Sequence, residues 1–238
     1  DYRKSILYNT YNVTETLKKG QNAVGVALGN GRYYTMRQNY KPYKIPTFGY
    51  PKLRLHLMVE YTDGSKELIA TNNTWKLTAD GPIRNNNEYD GEEYDARKEL
   101  GAWTMPGYDD KTWMAAERVA IPQVAMRAQM MPGMKVVDKL NPISMKKVGD
   151  KYMLDMGQNM VGWLRINIKA KHGDSIQMRF AETLQANGEL YTENLRDALV
   201  TDLYISNGNA KGETWAPAFV YHGFRFVEIT GLRYEPKI

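Results

Sequence analysis

Apolar and polar residues alternate along much of this chain at a period of two, the pattern of half-buried strands. The clearest case is residues 53–61, where Leu53, Leu55, Leu57 and Val59 alternate with Arg54, His56, Met58 and Glu60. Asp63-Gly64-Ser65 then reads as a hairpin turn, with residues 67–71 as the returning strand. Residues 5–13 and 22–28 are strand-like on either side of 14–20, a short turn or single helical turn. Trp75 and Leu77 continue the sheet until Asp80-Gly81-Pro82 breaks it. In the second half, Leu164, Ile166 and Ile168 point one way while Arg165, Asn167 and Lys169 point the other. Gly157-Gln158-Asn159-Met160-Val161-Gly162, just ahead, reads as a turn of residues that tolerate positive φ. Residues 221–229 form an aromatic-rich closing strand.

No stretch keeps a helical period and no repeat of 20 to 50 residues is visible. Turn residues at Gly173-Asp174, Asn187-Gly188 and Asn207-Gly208-Asn209 instead punctuate short strands at sandwich-like spacing. The prediction is an all-β chain of two antiparallel, jelly-roll-like β-sandwich domains in series, residues 1–121 and 122–238. A Tyr- and Pro-rich break at 33–51 interrupts the first, and 122–132 reads as an extended connector. A length of 238 residues suits two medium domains, and 42% hydrophobic content excludes wholesale disorder. The net charge of +5 is spread by interleaved Lys, Arg, Asp and Glu, so no basic block points to nucleic acid. With no cysteine, disulfides and thiolate metal sites are excluded. No apolar run approaches membrane-spanning length and no signal-peptide pattern opens the chain. Lacking an initiator Met, it reads as a piece of something longer.

Three sets of residues carry candidate chemistry. Asp80, Glu88, Asp90, Glu92, Glu93 and Asp95 cluster closely enough for a pair to act as acid and base of a glycosidase. Arg97 beside Asp95 invites ion pairing instead, and a charged loop with an edge strand is the stronger reading. Asn30, Asp80, the loop asparagines Asn85, Asn86 and Asn87, and carbonyls at Pro82 offer the hard oxygens that calcium prefers. Tight turns use the same residues for local hydrogen bonds, so only convergence in space favours a metal. Finally, 17 tyrosines and five tryptophans supply flat faces for stacking on sugar rings. Trp103 and Tyr108, in a loop, join Asn30 and Asp80 as sugar-binding candidates, while Trp75, Trp163 and Trp215 are assigned to the core. His56, His172 and His222 have no metal-ligand spacing, and His222 is expected to be hydrogen-bonded near a strand start.

Several phrases in order resemble one known family. Tyr11-Asn12-Val13-Thr14, Gly20-Gln21-Asn22-Ala23, Leu28-Gly29-Asn30-Gly31, Gly81-Pro82-Ile83, Gly91-Glu92-Glu93-Tyr94-Asp95-Ala96-Arg97 and Pro106-Gly107-Tyr108-Asp109-Asp110 look like the N-terminal domain of bacterial α-L-rhamnosidases. Residues 155–163, Ala181-Glu182, residues 190–196, Thr201-Asp202 and Tyr221-His222-Gly223-Phe224-Arg225 look like that family's concanavalin-like sandwich. The resemblance implies a galactose-binding-like first sandwich that the chain enters after its opening strands. It further implies hydrolysis of terminal α-L-rhamnose by acids in a following (α/α)6 barrel, of which nothing is visible here. This segment would then be a non-catalytic accessory region, with a rhamnose-containing carbohydrate and the barrel as partners, in a bacterial, periplasmic or secreted enzyme of polysaccharide degradation. The alternative is an autonomous rhamnose-binding module. Some members hold rhamnose through calcium at loops corresponding to Asn30 and Pro82, so calcium is the one cofactor implied. Here Gly29-Asn30-Gly31 has no adjacent Asp-Asn pair, and Arg32 stands where an aromatic residue is common.

Overall fold

A computed structural model describes residues 2–35, 48–120 and 123–236. In chain order the first strands are β1 (Ser5–Tyr8), β2 (His56–Glu60), β3 (Lys66–Ala70), β4 (Lys76–Leu77) and β5 (Ile83–Asn87). Next come β6 (Gly91–Asp95), β7 (Met114–Ala115), β8 (Ala125–Ala128), β9 (Ser144–Val148) and β10 (Lys151–Gly162). The last are β11 (Ile166–Ile168), β12 (Ser175–Ala181), β13 (Thr201–Ile205), β14 (Glu213–Trp215) and β15 (His222–Thr230). Helix among the described residues is limited to 3-10 turns at Thr14–Thr16, Ala96–Lys98 and Glu193–Leu195. The chain is all-β, as its alternation predicts. Among the described residues no helix is long and apolar enough to cross a membrane.

Two compact units emerge, and they interleave along the chain. The first comprises Asp1–Leu28, Tyr50–Ala79 and Leu100–Lys135; the second comprises Gly29–Gly49, Asp80–Glu99 and Val136–Ile238. Most of the Tyr- and Pro-rich break lies outside the described residues.

In the first unit, strands pair two by two. The expected hairpin forms between β2 and β3, with Leu57 opposite Ile69. Strand β4 does not extend that hairpin but pairs with β7, and β1 pairs in parallel with β8. That last pairing turns part of the expected connector into a strand. Residues 22–28, in contrast, form no ladder despite their alternation. Trp103, Tyr108 and Trp113 gather into an aromatic trio, with ring centroids 6.2 Å (Trp103–Trp113) and 5.7 Å (Tyr108–Trp113) apart.

The second unit is built on a seven-stranded sheet of order β5-β6-β13-β12-β15-β10-β9, with β11 and β14 as a separate pair. All its neighbouring strands are antiparallel except β6 and β13. Inward side chains Leu154, Ile176, Met178, Phe180, Tyr204, Phe224 and Val227 form one core with Ile168 and Trp215 from the smaller sheet, giving two layers. Phe180 meets Phe224 edge-on at 4.9 Å, and the Tyr204 ring lies 5.3 Å from Trp215. Trp215 is a core residue, as expected; Trp163, at 39% exposure, is not, and Trp75 is half-buried. The stretch read as a turn before β11 is a bulge inside β10. Between the pairs Asp155–Phe226 and Met160–Phe224, residues Met156, Gly157, Gln158 and Asn159 stand opposite Arg225 alone. Gly157 takes φ 83° there, and its N–H donates to Asp155 Oδ1 at 2.7 Å.

Candidate functional site

The residues singled out for sugar or metal binding fall into both units. Trp103 and Tyr108 belong to the first, where both are half-buried against Trp113 instead of standing free in a loop. Asn30, Asp80 and Pro82 belong to the second. The Asn30 backbone N–H donates to Asn86 Oδ1 at 2.8 Å, and its side-chain amide donates to the Asn86 carbonyl at 3.0 Å. Asp80 accepts from Lys98 Nζ at 2.8 Å and from an Arg84 guanidinium nitrogen at 3.2 Å. Those two cations, Lys98 foremost, hold its carboxyl below the usual range. The Pro82 carbonyl accepts the Asp95 N–H at 2.8 Å. Asp80 Oδ1, the Pro82 carbonyl and both Asn86 oxygens thus already accept from protein donors. Among the described residues, no group of three or more His, Asp or Glu side chains is arranged to hold a metal.

The three asparagines are not in a loop: they end β5, and the turn follows them. Asn87, buried, accepts from the N–H groups of Tyr89 and Asp90 at 3.0 and 2.9 Å, and its amide donates to Asp90 Oδ2 at 3.1 Å. Turn chemistry explains this residue, and Asn86 explains where Asn30 is held.

The carboxylates sort by what satisfies them. Asp95 and Asp155 each form a two-point pair with a guanidinium, from Arg97 and Arg225 respectively, with distances of 2.8 to 2.9 Å. Each arginine is the main reason its aspartate sits below the usual carboxylate range. Glu213 is buried in a nest of donors: the hydroxyls of Tyr204 and Ser206 at 2.6 and 2.7 Å, and the N–H groups of Asn207, Gly208 and Asn209. Burial alone would raise its pKa, but these donors outweigh it and the net displacement is downward.

Among the described residues, Glu92 is the carboxyl whose pKa moves toward neutrality. It is wholly buried in β6, and burial pushes it up to about 7 against the opposing pull of the Ala218 and Phe219 N–H groups; the Asp202 charge adds to the rise. Its oxygens accept those N–H groups at 2.9 to 3.1 Å, and its own N–H donates to Asp202 Oδ1 at 3.0 Å. His222 Nε2 lies 3.0 Å from the same oxygen, and the imidazole stacks on Phe180 at 4.3 Å. A perturbed carboxyl beside Asp and His is a candidate for acid–base work. All three side chains are buried, however, and they join β6, β13, β15 and the 218–219 backbone. The arrangement can fasten one end of the sheet; a substrate has no approach to it.

Of these groups, Glu92 and Asp95 were marked by the acidic cluster, and His222, expected to be hydrogen-bonded near a strand start, opens β15 beside Asp202; the roles of Asp155, Asp202, Glu213 and Arg225 needed the fold. Asp155 and Arg225 stand in two recognisable phrases, but nothing local says that residues 70 positions apart will pair.

Residues 1–138 match the family described as alpha-L-rhamnosidase N-terminal domain, and residues 145–238 the bacterial alpha-L-rhamnosidase concanavalin-like domain. An alpha-L-rhamnosidase of Streptomyces avermitilis is 38% identical over 241 residues, covering 100% of this chain and 23% of that protein. The solved alpha-L-rhamnosidase from Dictyoglumus thermophilum superposes with a TM-score of 0.91 at 38% identity, over 99% of this chain and 26% of that one. The Streptomyces avermitilis enzyme, solved in complex with L-rhamnose, gives 0.82 at 32% identity over 99% of this chain and 23% of that one. The chain therefore spans about a quarter of the length of these relatives.

Proposed function

This chain belongs to the bacterial α-L-rhamnosidase family, and from that membership we propose that it is a non-catalytic accessory region of an enzyme that releases terminal α-L-rhamnose. The observation that carries the reading is the engagement of five of its acids. Asp80, Asp95 and Asp155 are spent on cations, Glu213 on a nest of donors, and Glu92 on backbone N–H groups in a buried network. Glycoside hydrolysis needs two carboxyls facing each other across an open cleft, roughly 5 to 9.5 Å apart. Supplying the reacting pair is a role we assign to the part of the relatives that this chain does not span. The test is to express the gene at its relatives' length beside the 238-residue form and assay both on an aryl α-L-rhamnoside. Turnover in the longer form alone is expected. Equal turnover per mole in the short form would overturn the reading.

A second reading, a rhamnose-binding module, is favoured by the aromatic trio of Trp103, Tyr108 and Trp113 and by a relative crystallised with L-rhamnose. Calorimetric titration with L-rhamnose, in calcium and then in chelator, decides it: heat abolished by Trp103→Ala supports the module, and baseline heats in both media remove it.

A further inference from the structure

The solvent face of the seven-stranded sheet carries a depression of about 300 Å³, lined by Gln177, Arg179, Leu199, Thr201, Glu228 and Thr230. Strand register builds it. On β12 and β15, Gln177 stands opposite Thr230 and Arg179 opposite Glu228; on β13, Thr201 stands opposite Arg179. None of these side chains belongs to the core, whose residues occupy the alternate positions.

The rim holds a strained residue. Between the lining residues Leu199 and Thr201, Val200 takes φ 45°, one of two positive φ values among the described non-glycine residues, and it is β-branched. A glycine would take that φ without cost. Val200 is instead buried and gripped from both sides: its N–H donates to the Tyr89 carbonyl at 3.0 Å, and its carbonyl accepts the Phe180 N–H at 3.1 Å. Next to it, Leu199 is held at the rim with 50% of its surface exposed, and its carbonyl accepts Thr201 Oγ1 at 2.7 Å. Strain that the surroundings hold in place is a mark of a functional position.

The lining names the ligand. Its two charged lining residues balance, Arg179 standing opposite Glu228; Lys151, outside the lining, donates to Glu228 at 3.2 Å. The lining proper is therefore neutral, and the surplus positive charge belongs to Lys151, outside it. What is offered is a mixed set: guanidinium and amide donors, carboxylate and amide acceptors, the Thr230 hydroxyl, the Thr201 hydroxyl as an acceptor (its proton goes to the Leu199 carbonyl), and one aliphatic edge. Sugar hydroxyls donate and accept in the same way, and a pyranose also has apolar C–H surface. The volume lies at the small end of ligand sites. We infer that this depression is a binding site for one neutral pyranose unit of a glycan, with Gln177, Arg179, Glu228, Thr201 and Thr230 taking hydroxyls and Leu199 covering an apolar edge. The inference rests on the glycan-handling reading above but uses none of that reading's candidate residues.

The test is a ¹⁵N NMR titration of the chain with L-rhamnose and, separately, methyl α-D-glucoside, each into the tens of millimolar. Expected are saturable shifts at the Gln177, Thr201 and Thr230 amides and the Arg179 side-chain Nε–H for at least one probe. Arg179→Ala should weaken that binding roughly tenfold or more, as loss of a hydrogen bond to a charged group implies. Should Arg179→Ala disturb the fold, Gln177→Ala replaces it, because that side chain is exposed. No shift at these positions with either probe overturns the inference, as do shifts that persist undiminished in the variants. Failure here leaves the accessory reading standing, whereas turnover by the 238-residue chain would sink that reading without touching this one.

Discussion

Every fully buried hydrophobic side chain among the described residues lies in the second unit, and the first has none. Both units are written in the same alternating pattern. In the first, each strand has a single partner, so one apolar face is shared by two strands and stays half-covered; Leu55, Leu57 and Val59 are all of intermediate exposure. In the second, seven strands lie side by side and a second layer covers their inner face. Alternation chooses which face is apolar. Only sheet width and a facing layer remove that face from water, and a lone two-stranded ribbon is marginal by itself.

That contrast can be broken by mutation. Phe180→Ala opens a cavity beneath His222 and Phe224 and is expected to cost about 3–5 kcal/mol in urea unfolding. The same truncation at Leu57, on the half-covered hairpin, is expected to cost only about 1 kcal/mol. Equal losses would erase the distinction between the units.

A smaller effect sharpens it through pH. Glu92 titrates at about 7 in the folded chain against an ordinary 4.5. The folded state therefore holds this proton more tightly than the unfolded one. Its contribution to stability is greatest below pH 4.5 and is lost as pH rises through about 7. At 1.36 kcal/mol per unit the full swing is roughly 3 kcal/mol. Glu92→Gln should flatten that part of the stability profile, and an unchanged slope would refute the assignment. Asp155 has the opposite sign: Arg225 lowers its pKa, so its stabilisation is present above the usual carboxylate range and lost as pH falls through the folded value. Being partly exposed, the pair is screened, and Asp155→Ala is expected to cost about 1 kcal/mol. The smallest effect is at Asp80, an exposed acid between two exposed cations, where alanine should leave the unfolding midpoint unchanged.

Much of this was legible before the fold. The hairpin at Asp63-Gly64-Ser65, the inward set Leu164, Ile166 and Ile168, and the place of Trp215 all follow from local pattern and turn chemistry. What the pattern hides is partnership. Gly157 and its neighbours have turn chemistry, but β15 runs past them and makes them a bulge. Asn86 looks like a loop residue until Asn30 arrives from 56 positions away. Trp163 and Trp215 are alike in isolation; one tops an exposed strand end and the other faces Tyr204. The acidic cluster could be marked, but not divided, because the groups that decide each pKa come from strands distant in sequence.

The central claim is that Asp80, Asp95, Asp155, Glu92 and Glu213 are spent on folding. Its most direct test is the release of phenol from an aryl α-L-rhamnoside by the purified 238-residue chain and by its Glu92→Gln variant, both shown folded by circular dichroism. Rates at buffer background for both are the predicted result. Measurable turnover in the unaltered chain that disappears in the variant would contradict it.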